Sequence, residues 1–201
     1  MMKINQKIEP FEVKGFERFE VKGFVDGKEK LFKIPSEYKG KWLVFVFYPA
    51  DFTFVCPTEL EDLADHYEQF KKEGAEVFSV STDTVFVHKA WHEHSKAIAK
   101  VKYPMLADPM GTLCRMFGTY IDDPSDEDAG LSLRGSFIID PDGKLKVMEI
   151  HANGIGRSAS ELLRKLQAAK FVRDHKGQVC PAKWKPGEKT LKPGMDLVGK
   201  I

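Results

Sequence analysis

Apolar positions along the chain fall into distinct spacings, and each spacing predicts a different element. Residues 42–48, WLVFVFY, are an unbroken β-branched and aromatic run, the pattern of a strand covered on both faces. Leu60, Leu63, Ala64, Tyr67 and Phe70 then recur at helical spacing, Gly74 stops the helix, and AEVFSVS supplies a second apolar strand. A β-α-β crossover in a partly parallel sheet follows. Segment 84–100 reads as another helix, carrying Phe86, Ala90, Trp91, Ala97 and Ile98, with a strand at 103–107 and a short helix at 110–117. Upstream, RFEVKGFVDGKEKLFKI alternates apolar and polar residues around Asp26-Gly27, which predicts a hairpin turning at that dipeptide. The echo of FEVKGF at 11–16 and 19–24 is too short to define a repeat architecture. RGSFIIDPDGKLKVMEI is strand, Pro-Asp-Gly turn, strand, a second hairpin that closes the sheet. Ser158 and Glu161 have capping-box spacing and Leu162, Leu163, Leu166 and Ala169 form a stripe, so 158–171 is predicted as a helix packed on the sheet. From Asp174 the periodicity dissolves into a Lys-, Pro- and Gly-rich arm over the body or over a partner subunit, and the acidic stretch 121–130, IDDPSDEDAG, reads as a solvated loop.

Composition narrows the function classes. A chain of 201 residues, 42% of them apolar, is long enough to bury a full core as one domain with modest additions. Thirty-one basic against thirty acidic residues leave a formal charge of +1, so no global field draws the protein to nucleic acid or to an anionic membrane. The longest apolar run, 42–48, is too short to cross a bilayer and MMKINQKIEP has no signal-peptide core, so the expectation is a soluble, cytoplasmic protein. The three cysteines, Cys56, Cys114 and Cys180, are too few and too widely spaced for a disulfide scaffold or a zinc site, which leaves catalysis or ordinary burial.

Cys56 has the address of a reactive thiol. It lies where a strand ends and a helix begins, and Pro57 suits the first helical turn because the N–H it lacks is one that a helix start leaves unpaired. Free N–H groups and the positive end of the macrodipole there favour a thiolate, and such a group is expected to have access to solvent. Thr53 can offer its hydroxyl to the same small volume, and Pro49 at the strand end can shape and shield it, giving Pro49-x-x-x-Thr53-x-x-Cys56.

At these residues the chain resembles the typical two-cysteine peroxiredoxins. The resemblance is carried by FYPADFTFVCPTEL, VSTD followed by HKAWH, RGSFIIDPDGKL, GIGRSASELLRKLQAAK, VCPAKWKPGE and the terminal DLVGKI, and runs from about Trp42 to Ile201. The N-terminal 41 residues and the acidic stretch depart from it. It implies an α/β, thioredoxin-like fold with a mixed central sheet and an N-terminal hairpin: a peroxidase body over 1–173, and an arm over 174–201 that carries Cys180 within the same structural unit. It also implies that Cys56 attacks the terminal oxygen of a hydroperoxide to become a sulfenic acid. Thr53 is the donor to the peroxide, and Arg134 matches the active-site arginine that stabilises the thiolate and orients the substrate, with Arg157 a rival by charge alone. Glu59 either pairs with an arginine or simply favours the helix dipole. Cys180 matches the resolving cysteine, which forms a disulfide with Cys56 of the neighbouring subunit after both segments unwind locally.

The resemblance further implies no metal, haem or bound flavin cofactor. It implies recycling by a disulfide-reducing flavoprotein with a dithiol domain, drawing on NADH or NADPH, or by thioredoxin. Antiparallel homodimers, five of them often closing into a ring, complete the expected assembly. A chaperone-like holdase built from the same oligomer is the alternative, and it would not depend on Cys56. Other chemistries fit less well. Glu59 occupies the second position of what would be C-x-x-C, against a thioredoxin or isomerase role. A cysteine hydrolase would need an imidazole beside Cys56, and nothing places His66 or His151 there. His88, His92 and His94 read as helix-surface or interface residues rather than metal ligands, and Cys114 reads as core.

Overall fold

A computed structural model describes residues 1–21 and 24–200, with the side chains of 16–21 and 24–26 excepted. The chain divides into two compact units, Met1–Ala159 and Ser160–Ile201. The first holds a seven-stranded mixed sheet of order β2-β1-β5-β4-β3-β6-β7. Its strands are β1 (Phe11–Val21), β2 (Phe24–Ile34), β3 (Trp42–Phe47), β4 (Ala75–Ser81), β5 (Met105–Ala107), β6 (Arg134–Ile139) and β7 (Leu145–His151). Helices α1 (Cys56–Lys72), α2 (Val85–His94) and α3 (Thr112–Phe117) connect them, and α4 (Ala159–Asp174) opens the second unit. Among the described residues no helix is long and apolar enough to cross a membrane.

The expected crossover is present: β3 and β4 pair in parallel, from Trp42 opposite Ala75 to Phe47 opposite Val80, with α1 between them. All six residues of β3 are buried, as its continuous apolar run requires. Leu43, Phe45 and Phe47 share one face with Phe78, Val80, Phe137 and Ile139, and with Leu113, Cys114 and Phe117 of α3. Aromatic rings fill this core at short range: Phe45 stacks on Phe78 with centroids 5.2 Å apart, and Phe117 meets Phe137 edge to face at 4.8 Å. On α1 the predicted stripe is buried at Leu60, Leu63, Tyr67 and Phe70, and Gly74 follows the helix at φ 76°, a left-handed conformation that glycine adopts without a Cβ clash. The β6–β7 hairpin forms one edge of the sheet, turning through Gly143.

Three expectations need correction. The N-terminal hairpin exists, but Asp26 and Gly27 lie inside β2, opposite Phe19 and Arg18, and the register closes at Val21 and Phe24, with residues 22–23 outside those described. Burial outranks turn chemistry here: the observed register sets Val13 opposite Phe32 in the core and ends β2 at Ile34, before Pro35. The helix expected over 84–100 stops at His94. Ser95 turns extended, its Oγ accepts the Ile98 N–H at 3.4 Å, and a separate 3-10 turn covers Ile98–Lys100. Phe86, expected on the buried stripe, is exposed. Finally, His88 and His92 are buried rather than on the helix surface.

In the second unit α4 covers the predicted helix, with Leu162, Leu163 and Leu166 buried. The segment beyond it is more ordered than its composition suggests. Val179 and Leu191 exchange backbone hydrogen bonds at 2.9 and 3.0 Å, and Trp184, 2% exposed, packs on Phe171 and donates Nε1–H to the Glu188 carbonyl at 3.1 Å.

Gly15 is where β1 comes closest to β5: a Cβ there would lie 2.8 Å from the Met105 carbonyl oxygen and 2.9 Å from Phe32. Gly15→Ala is therefore expected to lower stability by about 1–3 kcal/mol in urea unfolding. An unchanged midpoint would show that the hairpin is not held at this distance.

Candidate active site

After Tyr48 the chain leaves the sheet and reaches α1 through 49–55. Pro49 is buried at the start of this loop and Thr53 is half-buried, its hydroxyl donating to the Ala50 carbonyl at 2.9 Å. With its proton engaged in that turn, Thr53 presents lone pairs from Oγ1. The Val55 carbonyl accepts the Thr58 N–H at 3.0 Å and the Glu59 N–H at 3.3 Å, so Cys56 and Pro57 form the opening of the helix, as expected. Cys56 itself is wholly buried, which corrects the expectation of solvent access. Its sulfur meets a buried guanidinium.

Arg134, at the start of β6 and 3% exposed, donates from Nη1 to Cys56 Sγ at 3.4 Å and to Glu59 Oε2 at 2.8 Å, and from Nε to the Asn153 carbonyl at 2.8 Å. Arg157 closes on the same carboxylate from the other side: Nε to Oε1 at 2.9 Å, Nη2 to Oε2 at 3.0 Å, and its own backbone N–H to Oε1 at 2.8 Å. It is anchored in turn by Nη1 donating to the Gly135 carbonyl at 2.7 Å. Burial alone would push the Glu59 carboxyl up, but the hydrogen bonds and charge of Arg157, with the charge of Arg134, outweigh it and hold the carboxyl below its ordinary value. Of the two readings of Glu59, ion pairing is the one the geometry bears out. Arg157, considered only as a rival to Arg134, is instead the second clamp on Glu59.

The loop is fixed by a second buried network that sequence reasoning missed. Tyr48 donates its hydroxyl to Asp51 Oδ1 at 2.7 Å, while His88 Nδ1 meets Asp51 Oδ2 at 2.7 Å and His88 Nε2 meets the Leu106 carbonyl at 3.2 Å. Both ring nitrogens are thereby engaged, one by the carboxylate and one by a backbone carbonyl. The Asp51 N–H is held by Asp83 Oδ2 at 2.8 Å; burial, then the nearby Asp51 charge, push the Asp83 carboxyl up. Immediately after Asp51, Phe52 sits at φ 56°, a strained conformation for a bulky residue that such anchoring can sustain. The only sequence signal for this network was an aspartate and a histidine within otherwise apolar neighbourhoods.

The remaining candidates separate cleanly. Cys114 is in the core, as expected, and burial followed by the Asp108 charge pushes its thiol up to about 12. Cys180 is half-buried in the second unit, its thiol 3.9 Å from the Ala168 carbonyl and pushed up by burial against the charge of Arg164. His66 is engaged with Asp62, by Nδ1 at 2.8 Å from its carbonyl. Among the described residues no group of three or more His, Cys, Asp and Glu side chains is gathered to hold a metal ion.

With this geometry in hand, known proteins match along the whole chain. A family model described as the AhpC/TSA family matches residues 4–148, and one described as the C-terminal domain of 1-Cys peroxiredoxin matches 168–198. Alkyl hydroperoxide reductase C of Salmonella typhimurium is 54% identical over 201 residues, covering 100% of both chains. The crystal structure of Enterococcus faecalis AhpC aligns with TM-score 0.79 and 46% identity over 90% of this chain and 100% of that one. The reduced 2-Cys peroxiredoxin of Plasmodium vivax aligns with TM-score 0.81 and 26% identity over 98% and 96%. The class so defined is the peroxiredoxins, antioxidant peroxidases with a thioredoxin-like α/β fold. Within it, the chain belongs to the AhpC/TSA family.

Because the Glu59 carboxyl is lowered on folding, its contribution to stability is complete above its ordinary value of 4.5 and is lost as pH falls through the folded value. Glu59→Gln should cost about 3–5 kcal/mol at pH 7, since it leaves two buried guanidinium groups without their counter-charge. It should also flatten the acid limb of the stability curve. Urea midpoints measured from pH 7 to pH 3 check this, and parallel curves for the two proteins would contradict it.

Proposed function

We propose that this peroxiredoxin reduces hydrogen peroxide and small organic hydroperoxides through Cys56 and Cys180. One observation carries the reading: the Cys56 sulfur, at the opening of α1, receives a hydrogen bond at 3.4 Å from a buried guanidinium that Glu59 holds in place. Two guanidinium groups and one carboxylate leave one positive charge in excess beside the sulfur, complementary to the negative charge that the reaction moves through the site. The thiolate attacks the terminal oxygen of R–O–OH. An S–O bond forms, the O–O bond breaks, and the alkoxide leaves as R–OH after taking a proton, with Cys56 now a sulfenic acid. Arg134 stabilises the charge as it moves from sulfur to the leaving oxygen. Thr53 Oγ1, whose own proton goes to Ala50, accepts the hydroperoxide O–H and so orients it, and buried Pro49 walls the site.

In the second half-reaction the Cys180 thiol attacks the sulfenic sulfur, water leaves, and an intersubunit Cys56–Cys180 disulfide forms. A dithiol protein then reduces it by exchange, either a flavoprotein disulfide reductase or thioredoxin. The 54% identity over the whole length to alkyl hydroperoxide reductase C supports the peroxidase reading, and the resemblance to two-cysteine peroxiredoxins implies with it a homodimer, five of which often close into a ring. Two groups would have to leave their present places: Cys56 from its buried setting and Cys180 from the hydrogen-bonded turn around Trp184. A one-cysteine cycle, in which an external thiol resolves Cys56 directly, is the competing reading, favoured by the match of 168–198 to the 1-Cys C-terminal domain.

Peroxide consumption separates these cycles. With dithiothreitol as reductant, Cys56→Ser is expected to abolish turnover and Cys180→Ser to retain it. With a protein dithiol reductant, Cys180→Ser should stall, and a non-reducing gel after one equivalent of peroxide should show a chain-to-chain linkage only when both cysteines are present. Equal activity in all three proteins would reject the thiol mechanism, and a Cys180→Ser protein recycled normally by the protein reductant would establish the one-cysteine cycle. Holdase activity, the alternative from another class, should survive both substitutions.

A further inference from the structure

We propose that Asp128, in the acidic stretch 121–130, is a positioning residue for the peroxide reaction, acting on Arg134 through Asn153. The proposal rests on the reading of Arg134 as the group that stabilises the reacting sulfur and the leaving oxygen. It assigns a role to a stretch whose charge alone predicts only solvation.

The stretch is a built loop. Its stem is closed by the Ile121 N–H on the Leu131 carbonyl at 3.0 Å and the Gly130 N–H on the Ile121 carbonyl at 2.9 Å. Asp123 Oδ1 takes the Ser125 N–H at 2.9 Å, and Asp126 Oδ1 takes the Asp128 N–H at 2.9 Å, so successive acids fold the backbone by side-chain turns. Asp122, Asp123, Asp126 and Glu127 remain exposed; Asp128 is the half-buried acid of the loop. Its Oδ2 accepts the Asn153 side-chain N–H at 2.7 Å.

Asn153 in turn touches the reacting apparatus. It lies just past the end of β7, whose His151 is paired with Arg134 across the sheet, in a turn closed by the Ile155 N–H on the Ala152 carbonyl at 3.0 Å. Its carbonyl receives Nε–H of Arg134 at 2.8 Å. Its Oδ1 is buried with no hydrogen-bond partner, so the side chain is oriented by its bond to Asp128 alone. Arg134 has two fixed supports, Glu59 on Nη1 and Asn153 on Nε, and it is Nη1 that also faces the sulfur. With one support the guanidinium can swing about the other; with both, its plane is set. Small misplacements of a group that stabilises a transition state reduce rate steeply, so a carboxylate two hydrogen bonds removed from Arg134, and three from the sulfur, can act on it.

The test follows the oxidation of Cys56 by stopped-flow tryptophan fluorescence in the full-length protein. Asp128→Ala, and independently Asn153→Ala, are expected to slow the second-order peroxide step roughly three- to tenfold, the effect of losing one orienting hydrogen bond. The subsequent disulfide step and the melting temperature should stay at their native values. Asp128→Asn, which still offers an acceptor oxygen to Asn153, should recover most of the loss. In an Arg134→Ala background Asp128→Ala should add nothing, because the group it positions is gone. A native-speed peroxide step in both Asp128→Ala and Asn153→Ala, or an undiminished Asp128→Ala effect in the Arg134→Ala background, overturns the proposal. An Arg134→Ala protein oxidised at native speed instead sinks the reading of Arg134 on which the proposal stands.

Discussion

The structure of the site depends on one buried carboxylate held between two guanidinium groups. Glu59 would be costly to bury by itself, and either arginine would be costly without it. Four hydrogen bonds within 3.0 Å join them, three from Arg157 and one from Arg134 to the Glu59 carboxylate, and Arg157 is anchored further on the Gly135 carbonyl. The cluster joins α1, β6 and the segment before α4, so the opening of the helix, the start of the strand and the loop after β7 cannot shift separately. What remains after this mutual neutralisation is a single positive charge facing a sulfur.

A second buried network performs the same service for the loop between β3 and α1. Tyr48 just past β3, Asp51 in the loop and His88 on α2 are bonded in a line that ends on the Leu106 carbonyl of β5. The loop that delivers Thr53 and Cys56 is thus tied to α2 and to β5 as well as to its own strand. A satisfied polar network of this kind specifies one arrangement where apolar packing would tolerate several. It also sustains the left-handed backbone at Phe52, which an unanchored loop would relax.

Several features were legible because they are local. The crossover β3-α1-β4, the helix start at Cys56, the second hairpin and α4 each follow from residue spacing within a few turns or a single strand. The errors arose where distant contacts decided the outcome. Asp26-Gly27 has good turn chemistry, yet the hairpin register was set by burying Val13 and Phe32. His88 looks like a surface residue in isolation because its partner Asp51 is 37 positions away. The acidic stretch reads as solvated because only one of its acids turns inward.

The sequence by itself determined the element order, the apolar faces and the placement of a cysteine at a helix N-terminus, since each is governed by interactions a few residues long. Tertiary structure alone decided that Arg134 reaches both Cys56 and Glu59, 78 and 75 positions away, and that Arg157 clamps the same carboxylate from 98 positions. Charge partners of this kind leave no periodic trace in a chain. They exist only because the sheet brings strand ends together and burial removes the water that would otherwise compete for them.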